Sequence, residues 1–384
     1  MNLKLAALRR LAAECGFELA GATPVGPLPE AAFFEHWVES GLAGEMSYLT
    51  DHRARLRLDP RHLLPSARSV ISVGKLYNGP EPYSTEFTES ERGWISRYAW
   101  GEDYHRIVRR GLKRLAASLQ REIAHVFEWR ACVDTAPLLE RAWARRAGLG
   151  WIGKNSCLIN EPRGSWFFLG ELLVSLETES AEAPADRCGS CTRCIDACPT
   201  AAIVPTGLDA GPAGVGSAPA YTVDSRLCIS YFTIELRGPV PKALREGMGS
   251  HLFGCDICQD VCPWNQGAPL TPEPAFAPRE IAPRLENMAQ LTAEEFRSLF
   301  GGSPVTRARY SGFLRNVAVA MGNQRLEKYR APLDRLACSP DPLVREHALW
   351  ALERLEENVT EGGRGSEAAL RDRGALKPQG EGSQ

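Results

Sequence analysis

At 384 residues the chain is long enough for two or three domains of ordinary size, so a single small module is excluded. Its 44% hydrophobic and 24% charged residues are the proportions of a globular protein and exclude wholesale disorder and fibrous repeats. With 45 Lys and Arg against 47 Asp and Glu the formal net charge is -2, so a polyanion has to be met by a local basic patch.

In chain order, residues 2–15 are predicted to form a first helix, with Leu5, Leu8, Leu11, Ala12 and Cys15 on one face and Gly16 ending it. Arg9-Arg10 invites a twin-arginine export reading, but Glu14 and Glu18 stand where an apolar segment is needed. No window approaches the roughly 18 apolar residues of a membrane span, and a cytoplasmic protein without membrane attachment is expected. The run SVISVGKLY (69–77) reads as a buried strand, and 103–124 as a helix with Ile107, Leu112, Leu115, Leu119 and Ile123 inward. Its other face carries Arg106, Arg109, Arg110, Lys113, Arg114 and Arg121, which either meets phosphate or is simply solvated. Phe127, Trp129, Ala131 and Val133 alternate into a second strand that ends at Asp134; a helix at 138–147 and strands near 155–160 and 166–175 complete an α/β domain over 1–178.

A polar linker, ESAEAPADR, opens a cysteine-rich domain over 179–282, within which 207–220 is a Gly/Ala/Pro loop. After Pro283 the pattern is helical. Thr292 and Glu295 have capping-box spacing, and Leu314-Arg315-Asn316-Val317-Ala318 recurs after 30 residues as Val344-Arg345-Glu346-His347-Ala348, which predicts a HEAT-like helical domain over 283–355. From 356 to 384 Gly and charge dominate, and a disordered tail is expected.

Eight of the 12 cysteines lie between Cys188 and Cys262. Cys188-x2-Cys191-x2-Cys194-x3-Cys198-Pro has the bacterial ferredoxin spacing, in which the fourth thiolate serves the other cluster. Cys228 with Cys255-x2-Cys258-x3-Cys262-Pro supplies four more. The crossing rule assigns Cys188, Cys191, Cys194 and Cys262 to one 4Fe-4S cluster and Cys198, Cys228, Cys255 and Cys258 to the other; zinc, the alternative for any four cysteines, does not explain two runs ending in Cys-Pro. Cys15, Cys132, Cys157 and Cys338 have no metal spacing and read as buried inert thiols. In the N-terminal domain no G-x-G-x-x-G follows a predicted strand, and there is no P-loop. Asp103-Tyr104-His105 begins like a D-x-H-x-x-G cobalamin motif, but Val108 stands in place of its glycine, and His105 by itself reads as structural. Asp134 is either a helix N-cap or a proton donor whose carboxyl is pushed up by desolvation.

The runs I-S-R-Y-A-W-G-E-D-Y-H (95–105) and V-D-T-A-P-L-L-E-R-A-W-A-R-R-A-G-L-G-W-I-G-K-N (133–155), with the two ferredoxin-type runs, resemble epoxyqueuosine reductase from the N-terminus to about residue 355. The resemblance implies an enzyme using cob(II)alamin and two 4Fe-4S clusters, related to reductive dehalogenases, that reduces epoxyqueuosine to queuosine at the tRNA wobble position, the last step of queuosine biosynthesis. It implies a nitroreductase-like cobalamin domain, a ferredoxin-like domain and helical repeats. By the same resemblance Asp134 falls on the proton donor, held protonated by the apolar corrin face, and the corrin lies near Arg57, Tyr98, Asp134 and Lys154-Asn155-Ser156. The gap between Cys198 and Cys228 is longer than the family leads one to expect; the excess coincides with 207–220 and is expected to loop out without moving Cys228. The expected partners are the tRNA, met in part by Arg237, Lys242, Arg245, Arg315 and Arg345, and an electron donor; a monomer is expected. A dehalogenase of small organohalides is the first rival, opposed by the missing export signal and the helical repeat. A ferredoxin without chemistry of its own is the second, opposed by Asp134 and its surrounding run.

Overall fold

Leu19–Pro24, Ser69–Leu76, Phe167–Val174 and Trp129–Cys132 lie side by side, in that order, as a four-stranded sheet in a computed structural model that describes residues 2–123, 125–207 and 219–372. Helices cover both faces, as the helix–strand alternation predicts. Every pairing, however, is antiparallel, so the α/β expectation is corrected to a helix-covered antiparallel sheet. The Leu19 strand, LAGATP, carries too weak an apolar pattern to be predicted. Its Gly21 is required by packing, since a Cβ there would stand 1.8 Å from the Ala147 carbonyl oxygen.

The Ser69 strand is buried at all eight positions because the sheet is covered twice. Ile71 and Val73 meet Leu8, Leu112 and Leu115 from the helices Leu5–Glu14 and Tyr104–Ile123, while Val70 meets Leu138 and Trp143 beside the short helix Glu140–Arg146. The Phe167 strand alternates in the same way, with Leu172 and Val174 in the first core and Leu173 in the second. That alternation sends Glu171, fully buried, toward the short helix. The first helix starts later than predicted because Asn2–Leu3 pairs as a strand with Glu177–Thr178; Gly16, with φ +89°, ends it as expected.

One core spans the predicted domain boundaries at 178 and 282. Trp94–Ile95 pairs in parallel with His251–Phe253, and Trp94, Ile95 and Trp100 bury themselves with Phe232, Phe253, Phe313, Val317 and Leu355. The capping box at Thr292 is formed and starts the helix Ala293–Phe300. Arg309–Gln324 and Arg330–Ala337 both pack against Pro342–Asp372. This last helix runs past residue 355, where a disordered tail was expected to begin. Lacking an apolar stripe does not forbid a helix where Glu, Ala, Leu and Arg, all good helix formers, recur; residues 373–384 lie outside the described residues. The antiparallel pair Ile203–Pro205 and Tyr221–Val223, closed by Thr206 N–H donating to Ala220 at 3.0 Å, forms the base of the 207–220 insertion, of which 208–218 lie outside the described residues. Among the described residues no helix is long and apolar enough to cross a membrane.

Candidate functional site

The Trp129 strand ends in a three-residue turn in which Thr135 N–H donates to the Val133 carbonyl at 2.5 Å and Asp134, at its centre, takes φ +49°. A non-glycine residue there stores about 1–3 kcal/mol and persists only where its surroundings hold it. The Asp134 N–H donates to Glu140 Oε1 at 2.6 Å. The following helix begins at Glu140 with Leu139 in the capping position, so Asp134 is not its N-cap.

The Asp134 carboxylate, half exposed, meets His105 Nε2 at 3.0 Å, and His105 Nδ1 donates to Asp103 at 2.7 Å. Both His105 and Tyr104 stand on the first turn of the Tyr104–Ile123 helix; their rings stack at 4.2 Å, and Tyr104 lies flat on Phe168 at 4.1 Å. Burial favours neutral His105, but the hydrogen bonds and charges of Asp103 and Asp134 outweigh it and push the imidazole up to about 9. Burial likewise favours neutral Asp134, and here the His105 hydrogen bond and charge, Arg307 and the Tyr104 hydroxyl prevail, holding the carboxyl below its ordinary value. The surroundings of the pair favour the proton on His105, and His105, which reads as structural by itself, stands in contact with Asp134.

Distant segments complete the surroundings of this pair. Arg307 pairs with Glu235 at 2.5 and 3.0 Å and lies 5.4 Å from the Tyr48 ring; Arg237 donates to the Arg307 carbonyl at 3.0 Å. Tyr48 is pushed up to about 12 by burial and then by Glu235, and it also feels Asp134. Arg57 is 5% exposed with Nη1 meeting no hydrogen-bond partner, and its charge is disfavoured by burial, with Tyr48 and Glu140 as counterweights. Tyr98 packs edge-on against Tyr104 at 6.3 Å; burial first, then the Asp134 charge, pushes its hydroxyl well up. Tyr48, Glu140, Glu235 and Arg307 escape sequence reasoning because no spacing links them.

Of the other predicted contacts, Lys154 and Asn155 turn toward the cysteines. Lys154 Nζ donates to the Gly189 and Cys191 carbonyls at 2.7 and 2.9 Å, and Asn155 Nδ2 to that of Cys258 at 3.2 Å. Ser156, with φ +62°, offers its carbonyl to Arg141. The predicted basic patch is partly wrong: Arg315 and Arg245 are buried, where they bond backbone carbonyls, whereas Arg237, Lys242 and Arg345 are exposed. Cys338 is exposed, contrary to expectation, and Cys157 touches Cys258.

The eight cysteine thiols fall into two sets of four. Cys194 is pushed up to about 11 by burial and by its neighbours Cys188, Cys262 and Cys191. Cys255 is raised by burial and by Cys228 and Cys198, and Cys258 feels both Cys255 and Cys228. The described thiols do not close on one point as around a single ion; a cluster with four iron corners asks for a wider ring. A depression of about 640 Å³, lined by Arg193, Asp196, Ala197, Asp260 and Val261, lies against both cysteine runs.

Two family models match the chain: epoxyqueuosine reductase QueG, DUF1730, over residues 57–135, and 4Fe-4S double cluster binding domain over 187–265. The chain is 40% identical over 353 residues to the epoxyqueuosine reductase of Xanthomonas campestris pv. campestris, covering 90% of this chain and 95% of that one. It is 41% identical over 351 residues to that of Pseudomonas aeruginosa, covering 89% and 91%. Among solved structures, an epoxyqueuosine reductase with a tRNA-Tyr epoxyqueuosine-modified stem loop superposes with TM-score 0.78 at 28% identity, covering 91% of this chain and 89% of that one. The Bacillus subtilis enzyme, with its catalytic loop swung out of the active site, gives 0.76 at 27%, covering 91% and 90%.

Proposed function

The chain belongs to the epoxyqueuosine reductase family, and on that premise we propose that it reduces epoxyqueuosine to queuosine in tRNA, with cobalamin and two 4Fe-4S clusters. The observation that carries this is the pairing of an imidazole and a carboxylate, His105 and Asp134 at 3.0 Å, in a region that also holds the buried guanidinium of Arg57, whose Nη1 meets no partner. Removing the epoxide oxygen breaks two C–O bonds, forms an alkene and releases water, at the expense of two electrons and two protons. Bound cobalamin supplies the electron pair at the carbon skeleton, refilled singly through the clusters.

The protein's share is the protons and the positioning. His105 passes one proton through Asp134 to the departing oxygen and is reprotonated from solvent to supply the second, Tyr104 and Asp103 fix the two donors, and Tyr104 lies flat on Phe168 beside them. Arg57, Tyr98, Asp134 and Ser156 border the cobalamin, while Lys154 and Asn155 brace the cluster loops. Cys188, Cys191, Cys194 and Cys262 hold one cluster and Cys198, Cys228, Cys255 and Cys258 the other. Arg237, Arg307, Arg309 and exposed Lys242 receive tRNA phosphates, so that binding weakens steeply with salt. The catalytic loop described as swung out in the Bacillus structure has its counterpart here in residues 133–137. The finer domain kinships belong to the same proposal: nitroreductase-like for 1–178, ferredoxin-like for 179–282 and HEAT-like for 283–355, in a cytoplasmic monomer served by a one-electron donor.

The test is anaerobic reconstitution with iron, sulfide and cobalamin, followed by nucleoside analysis of tRNA carrying epoxyqueuosine. About eight irons per chain and cobalamin-dependent conversion are expected. A fully loaded protein that leaves epoxyqueuosine untouched overturns the reading.

A further inference from the structure

Glu171 is the one carboxyl on the Phe167 strand, 0% exposed, aimed by the strand's alternation at the short helix Glu140–Arg146. Its register neighbours are Ser72 and Cys132 on the flanking strands. Neither of its oxygens meets a hydrogen-bond partner, and the Ser72 hydroxyl and Trp143 indole N–H are also without partners. The group Glu171 faces is the carboxyl of Glu140. Two ionised carboxylates cannot satisfy one another, because each only accepts; one proton between them resolves both. Burial raises Glu171 well above the ordinary carboxylate range, with the Glu140 charge adding to it, so Glu171 is held neutral beside Glu140. Glu140 then has Oε1 free to accept the N–H of Asp134 at 2.6 Å. The charged groups around Glu140 are Asp134 on the turn, His105 on the Tyr104 helix, Arg57 and Glu171 itself.

We propose that Glu140, backed by Glu171, is the latch that holds the Asp134 turn in its working conformation, a positioning residue that acts through the Asp134 backbone. The turn needs such a holder. Its centre is a non-glycine residue at φ +49°, and the chain on either side supplies only the Thr135-to-Val133 bond. A buried carboxyl on a sheet strand is costly to keep; here its position directly under the turn gives it work. The proposal rests on the reductase reading for its kinetic arm, and its structural arm is independent of it.

The test uses the full-length protein with clusters and cobalamin loaded, comparing Glu140→Ala, Glu140→Gln, Glu171→Gln and Glu171→Leu. Deuterium uptake by 133–137 reads the latch, uptake by 167–174 reports an intact sheet, and kcat and KM for tRNA carrying epoxyqueuosine read its consequence. Glu140→Ala is expected to speed uptake at the turn at least tenfold, leave the strand unchanged, and lower kcat by roughly ten- to a hundredfold with KM little altered. Both Gln variants keep an acceptor or a donor at the needed place and are expected to stay within about threefold of the parent, whereas Glu171→Leu follows Glu140→Ala. Parental uptake at the turn in Glu140→Ala overturns the latch, as does a Glu140→Gln variant that loosens as far as Glu140→Ala. A parent enzyme that binds its cofactors and never reduces epoxyqueuosine overturns the functional reading alone, since the uptake contrast still decides the latch.

Discussion

Two clusters of buried polar side chains are treated in opposite ways, one around Arg315 and one around Glu171. In the helical half, Arg315 is 0% exposed yet gives its guanidinium N–H groups to the carbonyls of Phe232, Leu236 and Gly238 and to Asn316 Oδ1. Asn316 in turn donates to Thr233 and Leu252, and both His347 nitrogens are used, one by the Val240 N–H and one by the Leu343 carbonyl. In the other cluster, by contrast, Ser72, Trp143, Arg57 and Glu171 keep polar atoms without ordinary partners. A completed network fixes a fold; an incomplete one marks where a ligand or a shared proton belongs.

If that distinction is right, damage to the two clusters has different signatures. The largest effect is expected from Arg315→Met, which leaves three buried carbonyls short of donors and costs about 3–5 kcal/mol of stability. Urea unfolding reads it. A midpoint shift worth under about 1 kcal/mol would show the network to be dispensable. Asp134→Asn comes next and is the mirror case: turnover falls roughly a hundredfold, about 2.7 kcal/mol of barrier, while the loading of clusters and cobalamin stays parental and the urea midpoint drops by no more than the about 2 kcal/mol that the His105 linkage carries. Asparagine keeps the turn's N–H to Glu140 and removes only the group that relays a proton. Activity within a few-fold of the parent would take Asp134 out of the mechanism.

The same contrast explains what the sequence revealed. Thiolates three or four positions apart, the Thr292 and Glu295 box and the apolar face of the Tyr104 helix are local relations, and each can be read from spacing alone. The site joins Asp103 and His105 to Asp134, 29 positions on, and to Glu235 and Arg307 far beyond, through contacts that only the folded sheet creates. Asp134 is legible as a strand-end carboxyl, and its role comes from the family likeness, but its pairing with His105 is a tertiary contact that no spacing announces. The arginines misled for a related reason. Arg315 and Arg345 occupy matching places in a repeat, yet the first points into the core and the second into solvent, a difference set by which neighbouring helix covers each.

The smallest effect, and the one that separates the two clusters most cleanly, is in the pH dependence of stability. His347 lies in the completed network, where burial first, and then Arg245 and Arg315, lowers it to about 4. Its unfolded value is near 6.5, so between the two the unfolded chain binds the extra proton; the stability His347 contributes is present above pH 6.5 and is lost as pH falls toward 4. His105 is raised to about 9, so the folded state holds the extra proton; its contribution is present below pH 6.5 and is lost as pH rises through 9. Each limb is expected to be about 2 kcal/mol. Urea midpoints from pH 5 to 9.5 therefore trace a dome, whose alkaline side Glu140 and Asp260, both pushed up to about 7 by burial first, share with His105. His347→Gln should flatten its acid side only and His105→Gln its alkaline side only. A variant that flattens both sides, or neither, would show that the two histidines do not carry the opposed proton linkages their surroundings impose.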